Sequence, residues 1–244
     1  MTIRAVLFDL DNTLWRPETT PDWEYITRLQ SEAVAGLFER MDMGHLDRLR
    51  LIPDFWERFG AMRKDEDDRL EEVYEQLGAT ALCSTLQDDG CFCSGEDAQV
   101  ILEALNTVPL REFNVRLLPD AERTLGVLGA TGLSLGVVSN RPMTAVQLRS
   151  NLLDLGLPDV FGAILTSLDF GYRKPHPSIF QAALEALDTE AREAAFVGDM
   201  LEIDVLPALA LGMTAIHKTD ATLDGGHISI RGLSELPDLL VHHL

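Results

Sequence analysis

Two aspartates, two residues apart, follow the first apolar run of the chain. The run spans Ala5 to Phe8, the acids are Asp9 and Asp11, and the turn-forming residue Asn12 comes next. A short apolar run is typical of a fully buried strand, so both carboxyls are expected at one sheet edge. Two such anions are unfavourable unless a cation or hydrogen bonds compensate them. The spacing favours a divalent-metal site over the simpler alternative of a strand followed by a surface Asx turn.

Later in the chain, two apolar runs end in polar residues, and a short basic loop lies between them. In sequence order the three motifs are Ser139-Asn140, Lys174-Pro175 and Gly198-Asp199. In open α/β sheets, ligands bind outside the carboxyl ends of the strands. Each motif alone is more typical of a turn, a helix cap or a solvated lysine. Several of them converging on one edge of a parallel sheet would form a site.

These residue types suit phosphoryl transfer. The reaction needs a nucleophile, an acid for the leaving group and positive charge near the non-bridging oxygens. A carboxylate such as Asp9 can be the nucleophile and form an aspartyl-phosphate that water then hydrolyses. Asp11, on the same side of an extended chain, would protonate the leaving alcohol and later deprotonate the water. That role requires surroundings that keep Asp11 protonated at the first step.

The order and placement of the motifs resemble those of the haloacid dehalogenase-like (HAD) hydrolase superfamily. Four family motifs are matched: Asp-x-Asp-x-Thr, a Ser or Thr after a strand, Lys-Pro, and Gly-Asp with a further Asp. The matching residues are Asp9-Leu10-Asp11-Asn12-Thr13, Ser139-Asn140, Lys174-Pro175, and Gly198-Asp199 with Asp204. The core of this resemblance covers residues 1–15 and 114–244. Many members carry a helical cap directly after the first motif.

The resemblance implies a magnesium site. It places the side chains of Asp9 and Asp199 and the backbone carbonyl of Asp11 on the metal, with Asp204 either a ligand or a neighbour of one. Three carboxylates cannot share a site with a phosphate dianion without a hard cation, and oxygen ligands suit Mg²⁺. Lys174 would then hold both the phosphoryl group and Asp9.

Ser139 is expected to donate a hydrogen bond to a phosphoryl oxygen, with Asn140 nearby. The catalytic residues predicted by this resemblance are therefore Asp9, Asp11, Ser139, Asn140 and Lys174. Arg141 and Arg173 flank motif residues, and for each of them anion binding and surface ion pairing both stay open.

Within the superfamily, the second aspartate separates the activities. Members that cleave carbon–halogen bonds lack it, because a halide needs no acid, so Asp11 favours phosphate-ester hydrolysis. Members that cleave phosphonates also lack the second aspartate and use a lysine of the cap. Lys64 is the only lysine in the predicted cap of this chain, so it is the one candidate for that role. A phosphosugar mutase keeps both aspartates and stays an alternative, as does a non-catalytic binding or regulatory protein. The interpretation is a Mg²⁺-dependent phosphatase that acts on a small phosphorylated metabolite.

Strands that alternate with helices along the chain must position these residues, and this alternation predicts an α/β fold. We expect a Rossmann-like parallel sheet with helices on both faces, plus a helical cap inserted after the first strand. The core would comprise residues 1–15 and 114–244, and the cap residues 16–113.

Within the cap domain, Asp22 and Ser94 are expected to be the N-caps of helices, a third helix should stop at Gly78, and residues 17–21 should form a linker. For the aromatic residues of the cap, a place in its core is favoured over a role in a ligand-binding box: these are Trp23, Tyr25, Trp56, Phe59 and Tyr74.

Composition excludes several classes of partner. The 244 residues carry a formal net charge of -20, with a sequence pI of about 4.5. This opposes binding to nucleic acid and to anionic membranes. Three cysteines and no leader-like or bilayer-length apolar run favour a reducing, cytoplasmic setting.

The sequence is compatible with both a monomer and a homodimer, and it leaves the substrate open. The candidate contacts for a second anion on the substrate are Arg58, Arg63 and Lys64.

Overall fold

The computed structural model describes residues 2–66, 74–221 and 226–241. Eight strands are present in this part of the chain. They are β1 (Ala5–Phe8), β2 (Trp15–Pro17), β3 (Val115–Leu117), β4 (Ser134–Ser139), β5 (Phe161–Thr166), β6 (Ala194–Gly198), β7 (Thr214–Lys218) and β8 (Ile228–Ile230). Six of them form one parallel sheet in the order β5-β4-β1-β6-β7-β8. The predicted α/β fold class is confirmed.

Helices follow most of the strands. The α-helices are α1 (Trp23–Arg40), α2 (Arg48–Glu66), α3 (Tyr74–Asp88), α4 (Gly95–Leu105), α5 (Ala121–Ala130), α6 (Ala145–Asp154), α7 (Ser167–Phe170), α8 (Pro177–Ala186), α9 (Leu206–Ala210) and α10 (Leu236–Val241). The alternate side chains of β1 enter two different apolar clusters: Val6 and Phe8 pack with residues of α5, α6 and α10, and Ala5 and Leu7 with residues of α8 and α9. The sheet is thus covered by helices on both faces, as a parallel sheet requires.

The central position of β1 brings the polar strand ends together. Phe8, the last residue of β1, is aligned with Val137 of β4 on one side and Val197 of β6 on the other. Because the three strands are parallel and in this register, the residues that follow them emerge at the same sheet edge. The sequence motifs therefore meet in space although almost 200 residues separate the first from the last.

The helices α1 to α4 form a four-helix insertion with its own apolar cluster, which includes Phe38, Phe55 and Leu82. The predicted helix starts are confirmed. The Asp22 side chain accepts a hydrogen bond from the Tyr25 amide at 3.0 Å, which caps α1. Ser94 forms a reciprocal capping box with Asp97 at the start of α4.

The two chain segments that lead into and out of this insertion pair with each other. β2 and β3 are antiparallel, with Trp15 opposite Leu117 and Pro17 opposite Val115. The prediction of a linker over residues 17–21 overlooked this ribbon. Each strand has only three residues, and a proline inside one of them is a signal against strand structure.

Two expectations about the insertion are wrong. Helix α3 does not stop at Gly78 but continues to Asp88, because Gly78 lies against Leu102 of α4, where an added Cβ would come within 3.1 Å. The predicted earlier part of that helix, at Leu70 and Val73, lies outside the described residues. The expected aromatic core is wrong for Trp23, which is 58% exposed, and for Tyr25, which is 40% exposed, whereas Phe59 and Trp56 do pack in the apolar cluster of the insertion. In the described parts of the chain, no helix has the length and apolarity needed to cross a bilayer.

Candidate active site

The cavity at the carboxyl ends of β1, β4 and β6 has a volume of about 440 Å³. It is lined by every site residue predicted from the sequence except Ser139, which lies buried beside it at 1% exposure. The Asp9 amide donates to the Val197 carbonyl at 2.9 Å, which fixes the start of the loop after β1. The strand ends thus place the predicted residues together as the motif order implied.

Lys174 is the buried cation of this cavity, with 2% of its side chain exposed. Its Nζ donates to Asp9 Oδ1 at 2.5 Å and to Asp204 Oδ1 at 2.7 Å. Its backbone is held by Asn140, which accepts from the Lys174 amide at 2.8 Å and donates to the Lys174 carbonyl at 2.9 Å. Both ends of the Asn140 side-chain amide are used in this way, so Asn140 positions the lysine loop against the end of β4.

Three carboxylates gather around this lysine. Asp9, Asp199 and Asp204 each offer an oxygen, and these oxygens lie within 4.8 Å of one another. Burial raises the pKa of Asp9 although Lys174 opposes the shift, and burial followed by the charge of Asp204 raises the pKa of Asp199. Burial disfavours the charged form of Lys174, but Asp9 and Asp204 outweigh it and raise the pKa of the lysine. One positive charge cannot compensate three anions, so a hard divalent cation with oxygen ligands fits this donor set.

Asp204 depends on a close approach of two chain segments. An added Cβ on Gly198 would lie 2.4 Å from the Asp204 Cβ, so only glycine fits at the end of β6. The second carboxylate oxygen of Asp204, Oδ2, accepts from the Met200 amide at 3.2 Å. Both oxygens of Asp204 are therefore engaged within the protein, one by Lys174 and one by the backbone.

Asp11 lies in different surroundings from Asp9. The Arg141 guanidinium donates from Nε to Asp11 Oδ2 at 3.0 Å and from Nη2 to Asp11 Oδ1, and the Trp15 indole donates to the same Oδ1 at 3.1 Å. Burial opposes ionisation of Asp11, but the charge and hydrogen bonds of Arg141 outweigh burial and lower its pKa. These surroundings favour the carboxylate form of Asp11, whereas its proposed role in the first step requires the protonated form.

Comparison with known proteins is consistent with this geometry. The family model described as haloacid dehalogenase-like hydrolase matches residues 3–212. The chain belongs to the haloacid dehalogenase-like hydrolase family. A glyceraldehyde 3-phosphate phosphatase of Methanocaldococcus jannaschii is 27% identical over 98% of this chain and 97% of its own length. A ribulose-1,5-bisphosphate 5-phosphatase of Halopiger xanaduensis is 31% identical over 97% of this chain and 98% of its own.

Solved structures of HAD-like proteins share the fold. A 2-haloacid dehalogenase from Pseudomonas syringae pv. Tomato DC3000 superposes with a TM-score of 0.66 at 27% identity, and covers all of both chains. A HAD phosphatase from Thermococcus onnurineus has a TM-score of 0.62 at 25% identity, with 98% of both chains covered. The resemblance seen in the motifs is thus confirmed at the level of the family and the fold.

Sequence reasoning left the role of Arg141 open and missed three other residues that shape this HAD-like site. Arg141 and Trp15 bind Asp11, and the Arg141 guanidinium also lies 5.3 Å from the centre of the Trp15 ring. From the end of β7, His217 Nε2 donates to the Asp199 carbonyl at 3.0 Å and Lys218 donates to the Asn12 carbonyl at 2.9 Å. The position of His217 and Lys218 at a strand end was the available signal.

Of the three candidate contacts for a second anion, Arg58 alone has a described side chain, and it does not lie at this site. Arg58 forms an ion pair with Asp88 on the surface of the four-helix insertion and does not line the catalytic cavity. The side chains of Arg63 and Lys64 lie outside the described residues. The alternative of a phosphonate-cleaving lysine at Lys64 therefore stays a prediction.

Proposed function

We propose that this HAD-like hydrolase is a Mg²⁺-dependent phosphatase that hydrolyses small phosphorylated metabolites through an aspartyl-phosphate on Asp9. The observation that carries the proposal is the cluster of Asp9, Asp199 and Asp204 within 4.8 Å, with Lys174 between two of them. The relatives named as phosphatases support the same reaction class.

The metal would be held by the side chains of Asp9 and Asp199 and by the backbone carbonyl of Asp11. Asp204 acts as a positioning residue, because both of its oxygens already bind Lys174 and the Met200 amide. When bound, Mg²⁺ supplies positive charge to the phosphoryl oxygens.

The chain's own residues carry the two chemical steps. The Asp9 carboxylate attacks phosphorus, the bond from phosphorus to the ester oxygen breaks, and Asp11 gives its proton to the leaving alkoxide. Water then attacks the aspartyl-phosphate, Asp11 takes the proton from this water, and the bond from phosphorus to the Asp9 oxygen breaks. Lys174 stays in contact with Asp9 and balances the charge on the phosphoryl group, while the Ser139 hydroxyl donates to one of its oxygens.

The pairing of Arg141 with Asp11 fits only one of these two steps. It stabilises the Asp11 carboxylate, the form that accepts a proton from water. For the first step Asp11 must hold a proton, so the pair has to open when the substrate phosphate enters and offers Arg141 a second anion. Arg141 lines the cavity and is within reach of such an anion.

Cleavage of a carbon–halogen bond is the alternative reaction, suggested by the dehalogenase with the same fold. A halide leaves without protonation, so that reaction has no use for an acid at Asp11 or for a cation at a phosphate. The buried lysine and the three carboxylates favour the phosphate ester. Release of chloride from 2-chloropropionate, without release of phosphate from any ester, would reverse this preference.

Release of inorganic phosphate from a panel of phosphorylated metabolites tests the proposal. Turnover should require Mg²⁺, stop with EDTA and return when Mg²⁺ is restored. Asp9→Asn should lower kcat by roughly a thousandfold or more while the fold is kept, because the nucleophile is lost. The matched control is Asp238→Asn, at an exposed acid of α10 outside the cavity, which should keep full activity. Near-normal turnover in Asp9→Asn would refute the role of Asp9 as the nucleophile. Transfer of phosphate between positions of one sugar would indicate a mutase.

We infer a cytoplasmic enzyme, working as a monomer or a homodimer. The three cysteines, Cys83, Cys91 and Cys93, are free thiols, as a reducing compartment favours. Size-exclusion chromatography with light scattering measures the oligomeric state directly.

A further inference from the structure

A second cavity, of about 630 Å³, lies between the four-helix insertion and the loop that joins β4 to α6. We call it the aromatic cavity, because rings from both the insertion and the chain segment after it line it. The rings are those of Trp23, Trp56, Phe59 and Phe113. Aliphatic side chains, among them Leu105 and Met143, cover most of the remaining wall. Its size falls within the range of small-molecule sites in proteins.

The aromatic cavity adjoins the catalytic cavity. Arg141 and Pro142 line both of them. The shared wall is held by Asn106, the C-cap of α4, whose side-chain amide donates to the Pro142 carbonyl. A phosphate ester bound at Asp9 would therefore direct its alcohol portion past Arg141 and Pro142 toward this second space.

The charges of the aromatic cavity do not suit a second anion. Among the described residues that line it, the charged ones are Arg141 and Glu57. Arg141 binds Asp11 and, in the proposed first step, the phosphate at Asp9, and Glu57 would repel a second phosphate or a carboxylate. An alcohol with a neutral, apolar body suits this lining, because its burial removes apolar surface from water without leaving a charge unpaired.

One wall of the aromatic cavity is fixed by hydrogen bonds. The Trp56 indole donates to Gln30 Oε1 at 3.1 Å, and Gln30 Nε2 donates to the Leu105 carbonyl at 3.3 Å. Gln30 is 2% exposed, so this link between α1, α2 and α4 is buried. Trp56 also contacts Phe59 edge-on, with ring centres 5.9 Å apart. The ring surface is thus held in place before any ligand binds, which lowers the entropic cost of binding.

We propose that the aromatic cavity binds the leaving group, so that the preferred substrates are phosphate monoesters of neutral alcohols that carry an aromatic or bulky apolar group. This inference rests on the proposed phosphatase function and adds the substrate class. It distinguishes this chain from a phosphatase for bisphosphates or for three-carbon phosphates, whose alcohol portions are charged or too small to fill the space.

Two esters of primary alcohols test the substrate class. 2-Phenylethyl phosphate and ethyl phosphate have chemically similar leaving oxygens and differ in the phenyl group, so a difference in kcat/KM reports on its binding. We expect 2-phenylethyl phosphate to have the higher kcat/KM by roughly tenfold to a hundredfold, the range for burial of one aromatic ring. An equal or lower kcat/KM would overturn the proposal.

A filled cavity provides the second test. Thr27 lines the aromatic cavity from α1, and Thr27→Phe places a ring in it. This variant should lower kcat/KM for 2-phenylethyl phosphate by about tenfold and leave ethyl phosphate unchanged, since the lost space is that of a single phenyl group. Ala33→Phe, at an exposed position of the same helix that lines neither cavity, should change neither ester. Equal losses for both esters in Thr27→Phe would overturn the proposal.

Failure of the phosphatase itself can be told apart from failure of this inference. If Mg²⁺ supports no phosphate release from either ester or from the metabolite panel, the proposed function is wrong. Titration of the intrinsic tryptophan fluorescence with 2-phenylethanol then tests the cavity alone, since Trp23 and Trp56 line it. A saturable change that Thr27→Phe abolishes supports the aromatic cavity as a binding site, and its absence in the wild-type protein overturns the inference.

Discussion

The two neighbouring cavities of this enzyme are built in opposite ways. The catalytic cavity is formed by residues that follow β1, β4 and β6 and by the loop that carries Lys174, and its wall includes four carboxylates and this buried lysine. The aromatic cavity is formed by helices of the insertion, by the chain segment after it and by the loop between β4 and α6, and its wall is mostly apolar. The two meet at Arg141 and Pro142.

Under the proposed function and substrate class, this difference separates chemistry from selectivity. In the catalytic cavity, strand register sets the positions of Asp9 and Asp199, and hydrogen bonds and ion pairs hold Lys174 in place. In the aromatic cavity, the packing of large side chains sets the shape, and one buried glutamine fixes a ring. Changes in the first should therefore affect all substrates equally, and changes in the second should affect only the discrimination between alcohols.

The largest expected effect comes from Lys174→Met. It leaves Asp9 and Asp204 buried without their cation, so we expect the free energy of unfolding to fall by about 3–5 kcal/mol. Turnover of 2-phenylethyl and ethyl phosphate should fall together by roughly a hundredfold to a thousandfold, because a charge near the phosphoryl group is lost. Urea denaturation and phosphate release measure the two effects.

A double variant sharpens this prediction. Lys174→Met with Asp204→Asn removes one of the two carboxylates left without a partner, so it should be more stable than Lys174→Met alone and equally inactive. If Lys174→Met kept wild-type stability, Lys174 would not be the compensating charge of the cluster. If it affected one ester only, the two cavities would not be separable in function.

Gly198→Ala should have the next largest effect. An added Cβ would lie 2.4 Å from the Asp204 Cβ, so Asp204 must shift away from Lys174, and we expect a loss of about 1–3 kcal/mol in unfolding free energy. Both esters should again lose turnover in parallel. Gly126→Ala in α5 is the matched control: nothing lies within 4 Å of its added Cβ, and a helical alanine should stabilise by about 0.5–1 kcal/mol. Unchanged activity in Gly198→Ala would mean that the site does not need the position of Asp204.

Much of the catalytic cavity could be predicted from the sequence, because its residues lie at the ends of apolar runs. Parallel strands of an α/β sheet end at one edge, so the sequence alone places Asp9, Ser139 and Asp199 together. The exact partners could not be predicted. Arg141 binds Asp11 because the loop after β4 turns toward β1, and that direction depends on contacts such as the bond from Asn106 to the Pro142 carbonyl.

The aromatic cavity could not be predicted in the same way. The helical periodicity of the insertion marks its apolar residues but does not tell which of them remain at a cavity wall. The interpretation of Trp23 as bundle core was wrong, because this residue lies at the first turn of α1, against Phe113 of the returning chain at a ring distance of 6.2 Å. That contact joins residues 90 positions apart and depends on the ribbon of β2 and β3 that the sequence did not indicate.

Gln30→Leu should produce the smallest effect and the most selective one. It removes the acceptor of the Trp56 indole and the donor to the Leu105 carbonyl, so we expect about 1–2 kcal/mol lower stability. With Trp56 no longer held, the preference for 2-phenylethyl phosphate over ethyl phosphate should fall by roughly threefold, while turnover of ethyl phosphate stays unchanged. Ser31→Ala is the matched control. Ser31 lies next to Gln30 on α1, its hydroxyl accepts a hydrogen bond from Arg48 Nε at 3.2 Å, and it lines neither cavity. If both variants lowered the preference equally, general destabilisation would explain the effect; if only Gln30→Leu did, selectivity lies in the fixed ring of Trp56.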